Sequence, residues 1–454
     1  MKKSDVVVIG GSAAGLTAAI AARRNYPQAS ITLIRRERRV PVPCGIPYVF
    51  GTLKNLEENL MPDSFLEQNV IDLLVSEAER IDTNSQIVTT YDGPIGYDRL
   101  VVATGSRPVA PSLPGSDLEG VFLIHKDQER LRKVKERSEK ARYVVVIGGG
   151  FIGVEVGDEL AKKDGKHVSI VEILPHCLMA SYDKEFCVEM EDTLKKRGIH
   201  IFTSTKVESL RGNGAVQAVR LSDGGEIEAD MVILAMGAQA NVDLARAAGL
   251  TIGPMGGICV DTAMRTSDSA VFACGDCAEK VSYWGAGPCS LKLASIATRE
   301  ARVAGANLFE VRRRANGVIG AWSTAIGAVA LGAAGLTEAG VARLGCGVVT
   351  GRFEGIDRHP AAMPGATPLK IKLVFHADTS ALLGGHARGG AAVGELVNTI
   401  AMLARNRMTA EEIASLPLGT HPALTASPIV HPLINAAEMA CMAFRRRRER
   451  TASR

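Results

Sequence analysis

Cys44 stands in Pro41-Val42-Pro43-Cys44-Gly45-Ile46-Pro47-Tyr48, where three prolines and a glycine exclude the interior of a regular helix. A cysteine on such a loop is a candidate reactive thiol. Two glycine-rich turns could each hold a dinucleotide, the class of cofactor that carries electrons: Gly10-Gly11-Ser12-Ala13-Ala14-Gly15 and Gly148-Gly149-Gly150-Phe151-Ile152-Gly153. In such a turn the first glycine permits the sharp reversal and a small middle residue lets backbone N–H groups approach a pyrophosphate. The last glycine brings helix and strand close, and the helix N-terminus favours the negative charge. The first copy has Ser12 at the middle position; the second is complete.

Each turn needs a strand before it and a helix after it, and the sequence supplies both. Val6-Val7-Val8-Ile9 and Val144-Val145-Val146-Ile147 are β-branched runs of the buried parallel kind, and Ala-rich or apolar helical stretches follow. In the second unit the strand Val168-Ser169-Ile170-Val171 ends at Glu172, where a carboxylate accepts a ribose 2′-hydroxyl and repels a 2′-phosphate. NADH is therefore expected in preference to NADPH. In the first unit the matching position is Arg35, with Glu37 two residues on, so either could meet the ribose. Arg35 would suit a 2′-phosphate, whereas Glu37 would suit a dinucleotide without one, such as FAD.

With 454 residues, 46% of them hydrophobic and 22% charged, the chain is long enough for about three domains and is neither disordered nor fibrous. Gly is abundant at 47 copies, which implies many close backbone approaches. The net charge is only +4, with the run Arg445 to Arg448 expected as a frayed, solvated tail, so no nucleic-acid groove is indicated. The apolar stretch before Gly10 is too short for a signal peptide, and nine cysteines without regular spacing suit a reducing compartment, hence the cytoplasm. Ala315 to Thr337 is uncharged but dominated by small residues, which predicts Gly-rich strand and turn and no membrane insertion. Cys274 and Cys277 form a single CxxC, half of a tetrahedral site, so no metal is expected.

Two more segments complete a pattern: Ala103-Thr104-Gly105-Ser106-Arg107-Pro108, and Val271-Phe272-Ala273-Cys274-Gly275-Asp276. With the two turns, these resemble in order and spacing the FAD-dependent pyridine nucleotide-disulfide oxidoreductase family. The resemblance implies an α/β fold of two Rossmann-like dinucleotide domains with a C-terminal α+β dimerisation domain. An FAD domain would comprise residues 1–113 and 245–325, an NAD(H) domain 114–244, and an interface domain 326–454. FAD would then be held by Gly10, Ser12, Ala13, Ala14, Gly15, Arg35 or Glu37, Ala103, Thr104, Gly105, Arg107, Gly275, Asp276 and Ala294, with Asp276 on the ribityl hydroxyl. NADH would be held by Gly148, Gly150, Phe151, Ile152, Gly153, Glu155, Glu172 and Gly237.

Members with an internal disulfide carry a second Cys five residues after the first, where Val49 stands here. The single Cys44 is similar to the branch of coenzyme A disulfide reductases, NADH oxidases and persulfide or polysulfide reductases. Oxidases and peroxidases of that branch carry a His where this chain has Ala13, and the coenzyme A disulfide reductase tyrosines are replaced at Ala362 or Met363 and at Leu424. The reading that remains first is NADH-dependent, FAD-mediated reduction of a small sulfur substrate at Cys44. An NADH oxidase cycling Cys44 through a sulfenate, and a flavin electron carrier with a protein acceptor, are its alternatives. His421 and His431 are candidate acids reaching Cys44 across a homodimer, and coenzyme A is a further candidate ligand, with Arg23 as a contact for its phosphate.

Overall fold

The computed structural model describes residues 1–452. Its first sheet has the strand order Asp72–Val75, Ile31–Arg35, Lys2–Ile9, Gly93–Val102, Ile87–Thr90, Ala78–Asp82, and Val271–Ala273 joins it parallel to Gly93–Val102. Val6, Val7 and Val8 are wholly buried, as a central parallel strand covered on both faces requires. Residues 271–273 thus return to the sheet that residues 2–9 began. The helices Ala13–Asn25 and Ala294–Ala306 pack closely on each other.

The second sheet is parallel, in the order His200–Phe202, His167–Val171, Tyr143–Ile147, Met231–Leu234, Val121–Leu123, and a three-stranded antiparallel sheet accompanies it. The chain passes between the first and second sheets twice. The two crossings, Ser106–Pro108 and Ala238–Ala240, pair antiparallel with each other.

The third sheet is antiparallel, in the order Ala321–Ile326, Val329–Gly335, Leu382–Gly389, Pro368–His376, Val348–Ile356. Ala321–Ile326 is hydrogen-bonded along its length to Val329–Gly335, so the boundary expected at 325/326 falls inside a strand and the third domain's sheet begins at Ala321. The neutral segment 315–337 is strand and turn, and among the described residues no helix is long and apolar enough to cross a membrane. The Arg run is not frayed: helix Pro432–Ala452 continues through it. Leu433, Ala436, Ala437, Ala440 and Phe444 give that helix a buried face, and Arg is a good helix former. One close approach shows why glycine is needed here, since a Cβ on Gly351 would come within 1.8 Å of Ala436 O.

Helix Lys184–Lys196 fastens the second domain to the third. Lys372, 1% exposed, lies 2.7 Å from Asp183, 2.7 Å from Glu185 and 2.6 Å from Glu338. Burial works against its ammonium, but the hydrogen bonds to the three carboxylates outweigh it and hold the pKa above its ordinary value.

Candidate active site

The two glycine turns are built alike. Gly10 and Gly148 have φ of +116° and +109°, a left-handed conformation that favours glycine, and a Cβ on either would strike the carbonyl of Ala103 or Ala235. A Cβ on Gly15 or Gly153 would come 1.8 Å from the carbonyl oxygen of Gly10 or Gly148. Gly150, by contrast, faces open space. Neither Ser12 nor Gly150 caps its helix through a side chain, so the first-turn N–H groups of both helices have no side-chain acceptor at that position. That is the donor set a pyrophosphate would use, and the residues present fit one dinucleotide at each turn.

Glu172 is buried, and its Oε2 accepts the Gly149 N–H at 2.6 Å, so the residue expected at the ribose also braces the turn. Phe151 packs against Tyr182 and Trp322, Ile152 is exposed, and Gly237 has φ of +96°. Arg35 has a different occupation from the ribose contact weighed for it. Its guanidinium holds both oxygens of Asp63, at 2.6 and 2.7 Å, and its stem packs where a side chain on Gly11 would lie. Glu37 pairs with Arg36. The Arg23 guanidinium donates to the carbonyls of Asn69, Pro27, Ala29 and Val70, which staples the helix Ala13–Asn25 to neighbouring loops, a different occupation from the phosphate contact expected of it.

Around Gly275 and Asp276 the support is ionic. Lys280 and Glu300 form a buried pair 3.0 Å apart; Glu300 accepts the Gly275 N–H and Lys280 donates to the Gly275 carbonyl. A Cβ on Gly275 would meet Ala14 at 2.7 Å, so this turn is pressed against the first dinucleotide helix. Asp276 accepts from Ser106 Oγ at 2.7 Å and from Lys126 Nζ at 3.1 Å. Burial opposes its charge, but Lys126 and Ser106 together hold its pKa below the ordinary value. Thr104 and Asn241 exchange hydrogen bonds beside Gly105, Arg107 pairs with Asp243, and Ala294 is exposed at the start of its helix.

Cys44 lies in the short helical turn Pro43–Gly45 and is exposed, and Asn59 fixes the turn from both sides by accepting and donating to Val42. All nine cysteines are free, and Val49 is wholly buried. Although the residue is exposed, partial desolvation of its sulfur, then the charge of Glu155, push the Cys44 thiol up; Lys126 pulls it down and Asp276 adds a smaller upward push. Two domains therefore supply the charges that act on this thiol, and the third reaches one of them. Cys44, Tyr48 and Asp276 come from the first and Lys126 and Glu155 from the second, while Thr324 of the third donates to Glu155 Oε1 at 2.8 Å. Lys126 and Thr324 carried no sequence signal, one lying in a linker and the other in the neutral segment.

Within one chain neither His421 nor His431 hydrogen-bonds to Cys44. His421 is exposed, with Nδ1 accepting the Ala423 N–H. His431 is buried, burial lowers its pKa, and its Nδ1 has no hydrogen-bond partner. Among the described residues no three metal-ligating side chains come together.

Comparison with known proteins agrees with this fold. The family model described as pyridine nucleotide-disulphide oxidoreductase matches residues 4–301, and that of its dimerisation domain matches 323–429. A relative in Pyrococcus abyssi, named NAD(P)H sulfur oxidoreductase (CoA-dependent), is 32% identical over 445 residues, 96% of this chain and 98% of that protein. One in Methanocaldococcus jannaschii, named NADH oxidase, is 31% identical over 444 residues, 95% and 97%. The solved structure of an NAD-dependent persulfide reductase from A. fulgidus superposes with a TM-score of 0.90 at 30% identity, covering 98% of this chain and 84% of that one.

Proposed function

Because the chain belongs to the pyridine nucleotide-disulphide oxidoreductase family, we propose that it uses NADH to reduce a small sulfur compound at Cys44. It is an NAD(P)H-dependent flavin oxidoreductase, and the substrate in this reading is a persulfide, a polysulfide or a coenzyme A-linked disulfide or persulfide. FAD, when bound, supplies the two-electron relay between nicotinamide and sulfur. The chain's own residues bind and orient. The uncapped turn at Ser12 and the carboxylate of Asp276 hold the first dinucleotide, and the turn at Gly150 with Glu172 holds NADH.

The observation that carries the proposal is the isolation of Cys44. With Val49 buried where a second Cys would stand and every thiol free, the sulfur that Cys44 engages comes from outside the chain. Attack by its thiolate then gives a mixed disulfide or persulfide on an accessible turn. The test is NADH consumption under nitrogen with polysulfide or coenzyme A persulfide, then with oxygen alone. Rapid consumption with sulfur and slow consumption with oxygen is the expected result.

A second reading has the name of the M. jannaschii relative in its favour: reduction of oxygen with Cys44 cycling through a sulfenic acid. Ala13 provides no proton donor at the first turn, which weighs against it. Oxygen consumption as fast as sulfur reduction would favour the oxidase.

The match to the dimerisation domain supports a twofold homodimer. Leu424 and Ile429, 73% and 85% exposed, lie on the segment that carries His421 and His431. A dimer that covers this segment brings the histidines of one protomer towards Cys44 of the other. The nine free thiols favour the cytoplasm as the compartment.

A further inference from the structure

Cys44 stands on a loop whose neck and tip belong to different domains. The neck is closed within the first: Val42 donates its N–H to Asn59 O at 2.8 Å, Met61 donates to Val40 O at 2.9 Å, and Pro41 bridges Leu60. The tip is embedded in the second. Ile46, Val49, Phe50 and Leu56 are buried in the core that also holds Val156 and Leu160 of the helix Phe151–Ala161, and the turn Pro47–Phe50 packs on that helix. Lys135 of the helix Gln128–Lys140 donates to the Val49 carbonyl at 2.6 Å. Cys44 lies between neck and tip, so its place depends on both domains.

The polar hold on the tip comes from Glu159. Its carboxylate, 3% exposed, accepts the Thr52 N–H at 2.7 Å and the Thr52 hydroxyl at 3.1 Å. Lys162 Nζ closes the group, 2.5 Å from Glu159 and 2.9 Å from the Thr52 hydroxyl. A backbone N–H bonded to an ionised acceptor is among the stronger hydrogen bonds, and burial excludes the water that would replace it. Loop and helix also touch through their backbones, since a Cβ on Gly51 would come within 2.3 Å of Glu159 O. Glu159 lies on the helix that opens at Gly150, about two and a half turns beyond the turn for NADH.

We propose that Glu159 is a positioning residue for Cys44, holding the loop tip on the NADH-binding helix so that the second domain, as well as the first, places the cysteine. Its consequence for turnover rests on the sulfur-reducing reading. Transfer from NADH to flavin does not involve the loop, whereas passage of electrons to sulfur at Cys44 needs it in place, and a displacement of about 1 Å can cost such a step about a hundredfold.

The test compares the wild-type holoenzyme with Glu159→Ala, Glu159→Gln and Thr52→Val. Amide hydrogen exchange, resolved by mass spectrometry, needs no sulfur compound. In Glu159→Ala exchange should rise about tenfold at the tip and equally at Gly45 and Ile46, whose N–H groups close the Cys44 turn, while Val42 and Met61 at the neck keep their wild-type rates. Glu159→Gln keeps an acceptor for the Thr52 N–H and should restore most of the protection. Thr52 is exposed, so Thr52→Val folds, loses the hydroxyl contact alone and should raise exchange about threefold at the same amides. In anaerobic stopped flow every variant should reduce its flavin with NADH at the wild-type rate. Reoxidation by coenzyme A persulfide should slow about a hundredfold in Glu159→Ala and little in Glu159→Gln. Exchange that rises at Thr52 but stops short of Gly45 would overturn the proposal. So would equal losses in Glu159→Ala and Glu159→Gln, or wild-type reoxidation in a variant whose tip has loosened. The substrate reading fails separately, if persulfide does not reoxidise the wild-type flavin, and exchange then decides the proposal alone.

Discussion

Lys126 Nζ lies 3.1 Å from Asp276 Oδ2, joining a residue of the second domain to the carboxylate at the end of the first sheet's returning strand. Lys126 also opposes the burial that raises the Cys44 thiol. Replacing Lys126 with Met keeps the stem and removes the charge. Cys44 should then titrate higher and be alkylated about tenfold more slowly at neutral pH, a shift of about one unit. An unchanged alkylation profile would show that Lys126 serves only Asp276.

The two kinds of glycine in the second turn predict opposite outcomes. Gly153→Ala places a methyl 1.8 Å from the Gly148 carbonyl oxygen, backbone that cannot step aside, and should destabilise the second domain by about 1–3 kcal/mol in thermal unfolding. Gly150→Ala meets nothing within 4 Å. It should unfold like wild type yet raise the KM for NADH, because its methyl projects where the backbone is meant to approach the pyrophosphate. Equal effects of the two substitutions on folding would contradict this division.

What was legible in the sequence was local. Val6-Val7-Val8-Ile9 and its second copy specify buried strands through their β-branched side chains, and the glycine spacing specifies turns that only glycine tolerates. The same holds for Cys44, whose prolines and glycine keep it off a regular helix. What was hidden depends on tertiary proximity. Lys126 and Asp276 are 150 residues apart, Thr324 and Glu155 are 169 apart, and no periodicity connects either pair. The Arg445–Arg448 run is solvated as its charge suggests, but it is helical and not frayed, because it continues a helix whose apolar face is buried from Leu433 to Phe444.

The junction of the second and third domains should be acid-labile. His386 is buried, and its Nε2 accepts the Asp183 N–H at 3.1 Å, so that nitrogen carries no proton in the fold. Burial drives its pKa down to about 4, against an ordinary 6.5. Between those values the unfolded chain binds a proton that the folded chain does not. Stability is therefore lost as pH falls from 6.5 through about 4, by about 3 kcal/mol in all. His386→Phe should flatten this part of the unfolding profile, whereas an unchanged pH dependence would assign the acid lability elsewhere.

Lys372 at the same junction holds three carboxylates together. Lys372→Met leaves Asp183, Glu185 and Glu338 without their shared cation and should cost about 3–5 kcal/mol at neutral pH, read from denaturant midpoints. A cost below 1 kcal/mol would mean that the carboxylates find other partners.

The central claim is that electrons from NADH leave the protein through Cys44 to an external sulfur atom. Anaerobic stopped-flow absorbance tests it most directly: wild type and Cys44→Ser are reduced with NADH, mixed with polysulfide or coenzyme A persulfide, and followed by the recovery of flavin absorbance. The account predicts rapid recovery in wild type and none on that timescale in Cys44→Ser. Equal recovery in both proteins, or none in either until oxygen is admitted, would contradict it.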